Sequence, residues 1–476
     1  MKSVKLGKHI KALRKREGLT QSALAERLGI SPSYLNLIEH DQRAVSANLL
    51  IKLAQQFDVD LKSFGSGEIA SLVSDLAEVF SDPMFEDHGI EAGEVQDFVT
   101  SHPEIARAVR HAYQLYLASR DSSKALAEQM HERQDSVGLD RAELFSEQVS
   151  DLIQRHQNYF PDLEQEAENL WRNAGLEYDG LFRGLRQYLL DSHEIKTRVT
   201  TVDKMGGAVR RFDPKSREVF ISEGLIYESR IFQLAHQIAL INCSAILEQL
   251  AADPQLTTEA SRRLCRVALA NYFAGSVVMP YEDFLTAARK ERYDIDLLCH
   301  RFRCSFEQVC HRMTTLRRKG REGVPFSMVR VDIAGNISKK FNAGEVHYPR
   351  FSGLCPLRNV HHAFLQPGQV RVQLSRLPDG QTYFSIARTV RKNRGGYHAP
   401  WFRYAIGLEC DVDSARQIVY SDGIDFNNTE AAVPVGVTCR LCSRMDCESR
   451  AFPSIQQPLE VDENKRGLSF YAPVQD

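Results

Sequence analysis

Three cysteines near the end of the chain, Cys439, Cys442 and Cys447 in CRLCSRMDCESRAFP, are spaced C-x2-C-x4-C in a polar turn. Two thiolates three residues apart share a tetrahedral metal without strain, and a third close by makes a knuckle. The pattern points to a structural zinc, with an iron–sulfur cluster or three reduced thiols as the other readings. The fourth ligand is expected from Cys355 in GLCPLRNVHHAF, with Cys410 in AIGLECD as the alternative. A second place is FQLAHQIALINCS, residues 232 to 244. His-Glu-x-x-His on a helix would hold zinc between two imidazoles, with the glutamate as general base. Here the five positions are His236, Gln237, Ile238, Ala239 and Leu240. Catalytic zinc needs three protein ligands plus water, and an amide does not take a proton as a carboxylate does. Hydrolysis is therefore not expected, and His236 reads as a hydrogen-bonded core or pocket residue.

A third concentration of chemistry is ARTVRKNRGGYHAPWFRY, which sets Arg388, Arg391, Lys392 and Arg394 around a Gly-Gly turn beside Trp401 and Phe402. Guanidinium and ammonium groups there suit the phosphates of a nucleotide-like ligand, and the two aromatic rings suit an adenine. A solvated basic hairpin explains the same residues. Cys299, Cys304, Cys310, His300 and His311 are spread around a helical frame whose apolar stripe is Leu298, Phe302, Phe306 and Val309. They read as structure rather than metal ligands.

The elements that must position these groups begin with a small helical head. Leu6, Ile10 and Leu13 make an apolar stripe before Gly18. Thr20 caps TQSALAERLGI, which Gly29 ends, and Ser31 and Pro32 open SPSYLNLIEHDQR. Leu24, Leu28, Leu35 and Ile38 face inward, which leaves Ser33, Tyr34 and Asn36 on the exposed start of the third helix, where a recognition helix meets the major groove. Residues 1 to 65 carry 11 Lys or Arg against 6 Asp or Glu. That local excess is the electrostatic footprint of a nucleic-acid module.

The whole chain of 476 residues has a formal net charge of -2 and is 43% hydrophobic, an ordinary composition for about three domains. No basic, apolar leader and no long apolar run occurs, so neither a signal peptide nor a membrane span is expected, and the setting is expected to be cytoplasmic. Ten cysteines in such a chain read as thiols or metal ligands rather than disulfides. The expected fold is mainly α with α+β parts: a five-helix head over 1–67, a helical connector or dimerisation region over 68–194, an α+β domain over 195–325, and a C-terminal α+β domain with the Cys cluster over 326–476. EIKTRVTTV, AVRRFD and REVFIS read as a small antiparallel sheet opening the third of these.

Residues 5 to 65 resemble the Xre/Cro-type helix-turn-helix family. That resemblance implies a homodimer on a roughly two-fold operator, with Ser33, Tyr34 and Asn36 reading bases while Gln21, Lys15 and Arg43 hold phosphates. The β-run, the His236 helix and ANYFAGSVVMP resemble the ImmA/IrrE-type gluzincin-like domain. Active members place an acidic residue near the position of Leu269, so the resemblance is to a scaffold without its chemistry. CPL, IARTV, IGLECD, IVYSDGID and CRLCSRMDCESRAFP are similar to the C-terminal domain of the short-chain fatty acyl transcriptional regulators, which combine all three parts. Membership would imply a DNA-binding regulator of acetate, propionate, glyoxylate-shunt or methylcitrate genes, and not an enzyme. A short-chain acyl-CoA would be the effector, with His236, Arg388, Arg391, Lys392, Arg394, Trp401 and Phe402 as candidate contacts. A metallopeptidase-type anti-repressor, or a redox or iron sensor using the C-terminal cysteines, is the alternative.

Overall fold

The computed structural model describes residues 10, 14, 19–39, 43, 49, 52, 66–88, 90–131, 140–342, 348–349, 353–393, 397–398, 401–440 and 442–454. Lys15, Arg394 and most of the head's first, fourth and fifth helices lie outside them. The chain divides into two units, one of Met1–Asp135 with Pro349–Ser352 and Thr438–Asp476, the other of Ser136–Tyr348 with Gly353–Val437.

In the first unit, α1 (Gln21–Leu28) starts at Thr20, whose side chain accepts from Ala23 N. It ends at Gly29, whose φ of 68° is the left-handed cap conformation that glycine adopts without strain. Helix α2 (Pro32–Glu39) follows, with Ser31 Oγ accepting from Tyr34 N. Leu24, Leu28, Leu35 and Ile38 bury against Ile10 and Leu49. A separate cluster joins α3 (Ser66–Val79), α4 (Ala92–Ser101) and α5 (Pro103–His131). Leu72, Leu76 and Val79, at the i, i+4, i+7 spacing, meet Val95, Val99, Ala106 and Tyr113. Pro103 opens α5 in the first turn, where its missing N–H costs nothing.

In the second unit, α6 (Asp140–Arg155), α7 (Pro161–Asn173) and α8 (Leu181–His193) bring Leu152, Leu163, Leu185 and Leu189 into one core with Leu234, Ile238 and Phe273 from later helices and with Ile406 and Leu408 of the C-terminal sheet. Of the helices between 68 and 194, α3–α5 thus fall in one unit and α6–α8 in the other. The small sheet has the order β1 (Lys196–Thr200), β3 (Glu218–Ser222), β2 (Arg210–Asp213). It is mixed and not antiparallel: β1 runs parallel to β3, and β2 pairs antiparallel on the other side. The connection from β1 carries a one-turn helix, Val202–Met205, and Gly206 and Gly207 at positive φ, which set β2 down beyond β3.

Helices α9 (Tyr227–Asn242), α10 (Ser244–Ala251), α11 (Glu259–Val278), α12 (Tyr281–Lys290), α13 (Ile295–Phe302) and α14 (Phe306–Thr314) complete this core. The second sheet is ordered β5 (Ile337–Phe341), β4 (Ser327–Val331), β8 (Trp401–Asp411), β7 (Thr382–Asn393), β6 (Arg371–Arg376), β9 (Val433–Pro434). Its long hairpin pairs Arg388 with Ile406, Arg391 with Arg403 and Asn393 with Trp401. Among the described residues no single helix is long and apolar enough to cross a membrane.

Candidate functional site

The tip of the helix-turn-helix is tied together by one buried carboxylate. Glu39, at the end of α2, accepts from Arg14 Nε at 2.6 Å, Arg14 Nη2 at 3.0 Å and Gln21 Nε2 at 2.8 Å. Gln21 Nε2 also donates to Asn36 Oδ1 at 3.2 Å, so the first residue of α1 and the exposed face of α2 form one polar surface. Ser33 and Asn36 are exposed, and the Arg43 guanidinium lies 5.7 Å from the centroid of the half-buried Tyr34 ring. Gln21, Ser33, Tyr34, Asn36 and Arg43 therefore share one end of the head. Arg14 and Glu39 are members of this site that motif reading passes over. Their signal is a basic and an acidic residue on inward positions of two helices, which must pair when buried. Glu39→Ala is expected to cost about 2 kcal/mol, because it strands the Arg14 donors, and a lower urea midpoint for the head checks it.

At the degenerate zinc helix a guanidinium stands beside the histidine. Arg210 of β2 donates to His236 Nδ1 at 2.5 Å and to Gln233 O at 3.4 Å, and the ring also hydrogen-bonds the backbone of Val267 in α11. Burial, then the Arg210 charge, pushes the His236 pKa down to about 4, and burial lowers Arg210 to about 10. An imidazole nitrogen that accepts from a fixed cation does not also donate its lone pair to zinc. Gln237 is buried beside it, and Leu240 and Leu269 add hydrocarbon in place of ligands. Arg210 lies 26 residues from His236 in sequence and belongs to no metal motif, so only the β-run AVRRFD hinted at it.

A histidine held neutral below its usual value makes stability fall in acid. The unfolded ring takes up its proton near pH 6.5 and the folded ring only near 4, so this contribution is present above 6.5 and lost as pH drops through 4. The expected loss is about 3 kcal/mol. Urea titrations at several pH values check it, and His236→Gln should flatten the slope.

The six described candidate effector residues are not brought to one place. Strand alternation puts Arg388, Lys392 and Phe402 on one face of the hairpin and Arg391 and Trp401 on the other. Arg388 pairs with Asp296 at 2.5 Å and Lys392 with Glu307 at 2.5 Å. Arg391 and Arg403 lie 5.1 and 5.2 Å from the Trp401 ring centroid, and that indole is 50% exposed. Arg403 escaped notice because it follows the aromatic pair and not the Gly-Gly turn. Among the described residues no hydrogen bond or ring contact joins His236 to this hairpin.

Among the described residues no group of three His, Cys, Asp or Glu side chains is placed to hold a metal ion. Cys439, Cys442 and Cys447 do share a loop, but its organiser is Arg450. That buried guanidinium donates to Cys439 O at 2.7 Å, to Cys442 O at 2.8 Å and to Arg444 O. Cys355 and Cys410 belong to the other unit, both buried, and burial raises the Cys410 thiol pKa well above its usual range. The thiols of Cys299, Cys304 and Cys310 are likewise raised by burial, Cys299 to about 12, as protonated core residues are.

Comparison with known proteins agrees with this division of parts. A helix-turn-helix family model matches residues 10–64, an IrrE N-terminal-like domain matches 190–314, and the short-chain fatty acyl coenzyme A regulator C-terminal family matches 315–471. The HTH-type transcriptional regulator PrpR of Mycobacterium tuberculosis is 38% identical over 464 residues, 96% of this chain and 93% of its own. A propionyl-CoA carboxylase regulator of Cereibacter sphaeroides is 36% identical over 98% of both chains. A solved Mycobacterium tuberculosis transcriptional regulator superposes with a TM-score of 0.65 at 40% identity, covering 68% of this chain and 98% of that one. The chain belongs to the short-chain fatty acyl transcriptional regulator family, and is a helix-turn-helix regulator with an IrrE-like domain rather than an enzyme.

Proposed function

We propose that this chain regulates genes of short-chain acyl-CoA metabolism and that a bound short-chain acyl-CoA sets its affinity for an operator. The observation that carries the reading is the near full-length match to a propionyl-CoA carboxylase regulator, joined to a head whose polar tip is intact. The head acts as a dimer on a two-fold site, Ser33, Tyr34 and Asn36 meeting bases while Gln21, Lys15 and Arg43 meet phosphates. Ile105, Leu115 and Tyr116 on α5 are exposed apolar residues that a second copy would cover.

Regulation needs no hydrolysis. An effector that binds one of two states more tightly shifts the population, and by linkage DNA and effector change each other's affinity by the same factor. The test is fluorescence anisotropy on a duplex that the full-length chain selects from random sequence. Saturating acetyl-, propionyl- or butyryl-CoA should change operator affinity about tenfold, free coenzyme A much less. Equal affinity with and without every acyl-CoA would contradict the proposal.

A further inference from the structure

One carboxylate packed against the C-terminal sheet is claimed by more cations than it can neutralise. Glu307, in the first turn of α14, is 6% exposed. Arg330 Nη1 of β4 lies 2.9 Å and Lys339 Nζ of β5 3.0 Å from its Oε1, and Lys392 Nζ of β7 lies 2.5 Å from its Oε2. Burial alone would raise the Glu307 pKa, but Lys339, Lys392 and Arg330 outweigh it and hold the carboxyl well below its usual range. Burial also lowers Lys339, and Arg330 and Lys392 add repulsion to that effect.

Nothing else described balances these charges. His311 is neutral, pushed down to about 3 by burial and then by Lys339, and its buried Nε2 has no hydrogen-bond partner. Neighbouring cations have acids of their own: Arg388 has Asp296, and Lys340 has Glu147 at 3.4 Å. Among the described residues the cluster therefore keeps two positive charges in excess. The Lys339 and Lys392 side chains remain 45% and 48% exposed, so solvent and solutes reach them.

We propose that Arg330, Lys339 and Lys392 form an anion site for the phosphate or diphosphate group of a small molecule, with Glu307 holding the three cations together while the site is open. A phosphate dianion matches the excess, and its oxygens accept the charge-assisted bonds that ammonium and guanidinium groups give. Arg330 is the rigid wall, donating to Ser338 Oγ at 2.8 Å and lying 4.6 Å from the Tyr404 ring centroid. The two lysines are the groups that swing from Glu307 to the ligand. The inference deepens the effector reading by giving its phosphates a place, and rests on that reading for the acyl part alone.

The experiment is calorimetric titration of the full-length chain with inorganic pyrophosphate and with propionyl-CoA, at fixed ionic strength. It is repeated on Lys339→Ala/Lys392→Ala and on Glu307→Gln. The double variant should weaken both ligands about tenfold or more, while Glu307→Gln, freed of the resident charge, should bind pyrophosphate more tightly and regain its melting temperature when pyrophosphate is added. Tighter binding of propionyl-CoA than of pyrophosphate assigns the site to a phosphate ester, and the reverse assigns it to the free anion. No pyrophosphate binding by the wild type, or unchanged affinities in the double variant, overturns the site. Propionyl-CoA bound equally by wild type and double variant leaves the effector reading standing without it. Pyrophosphate binding that the lysines control, with no acyl-CoA binding at all, leaves the site standing and ends the effector reading.

Discussion

Arg312→Met should destabilise the larger unit by about 4 kcal/mol, because it strands a buried carboxylate. Glu164 of α7 and Arg312 of α14 are 1% and 2% exposed, with Arg312 Nη1 to Glu164 Oε1 at 2.5 Å and Nη2 to Oε2 at 2.9 Å. The remaining polar valences are filled. Tyr272 of α11 donates to Glu164 at 2.7 Å, and Arg312 donates to Met279 O, Ser276 Oγ and Thr315 Oγ1. Burial opposes the charge on Arg312, and Glu164 more than restores it, so its pKa is raised. Breaking a satisfied pair leaves one charge in a low-dielectric core, which costs far more than the pair contributes against an apolar replacement. The check is a cycle: Arg312→Met and Glu164→Leu each lower the urea midpoint strongly, and the double variant recovers most of the loss. A double variant as unstable as the sum of the singles would show that the two residues act separately.

Ser33→Ala/Asn36→Ala is expected to lose about 4 kcal/mol of specific operator binding, which brings the chain close to its affinity for random duplex. Both side chains are exposed at the start of α2, and Asn36 is pre-set by Gln21, itself bonded to Glu39. An amide held in one orientation loses little entropy on meeting a base edge. Anisotropy titrations against selected and scrambled duplexes separate the terms. Readout loss lowers affinity for the selected duplex alone, whereas a misfolded head lowers both, and circular dichroism of the variant distinguishes the two.

The head was legible because its signals are local. Thr20, Gly29, Ser31 and Pro32 act on their own turns, and the Leu24, Leu28, Leu35 and Ile38 spacing needs no distant partner. Strand direction is different, since nothing in the residues of β1 or β3 encodes parallel pairing, which the crossover between them sets. Arg210 beside His236 is a charge delivered by another part of the chain, invisible to a motif centred on the ligand residues, whereas Arg450 stands inside the Cys motif and escaped it because it is not a ligand type. Taken around its Gly-Gly turn alone, the basic stretch is a single cluster. Drawn as a strand over Thr382–Asn393, the period of two would already have parted Arg388 and Lys392 from Arg391.

The division of a zinc scaffold into a regulator rests on a guanidinium standing where an ion would need the His236 lone pair. Zinc stoichiometry after loading and desalting, compared between the wild-type chain and His236→Ala, tests this most directly. The two should carry the same amount of zinc. One equivalent present in the wild type and missing from the variant would contradict the account.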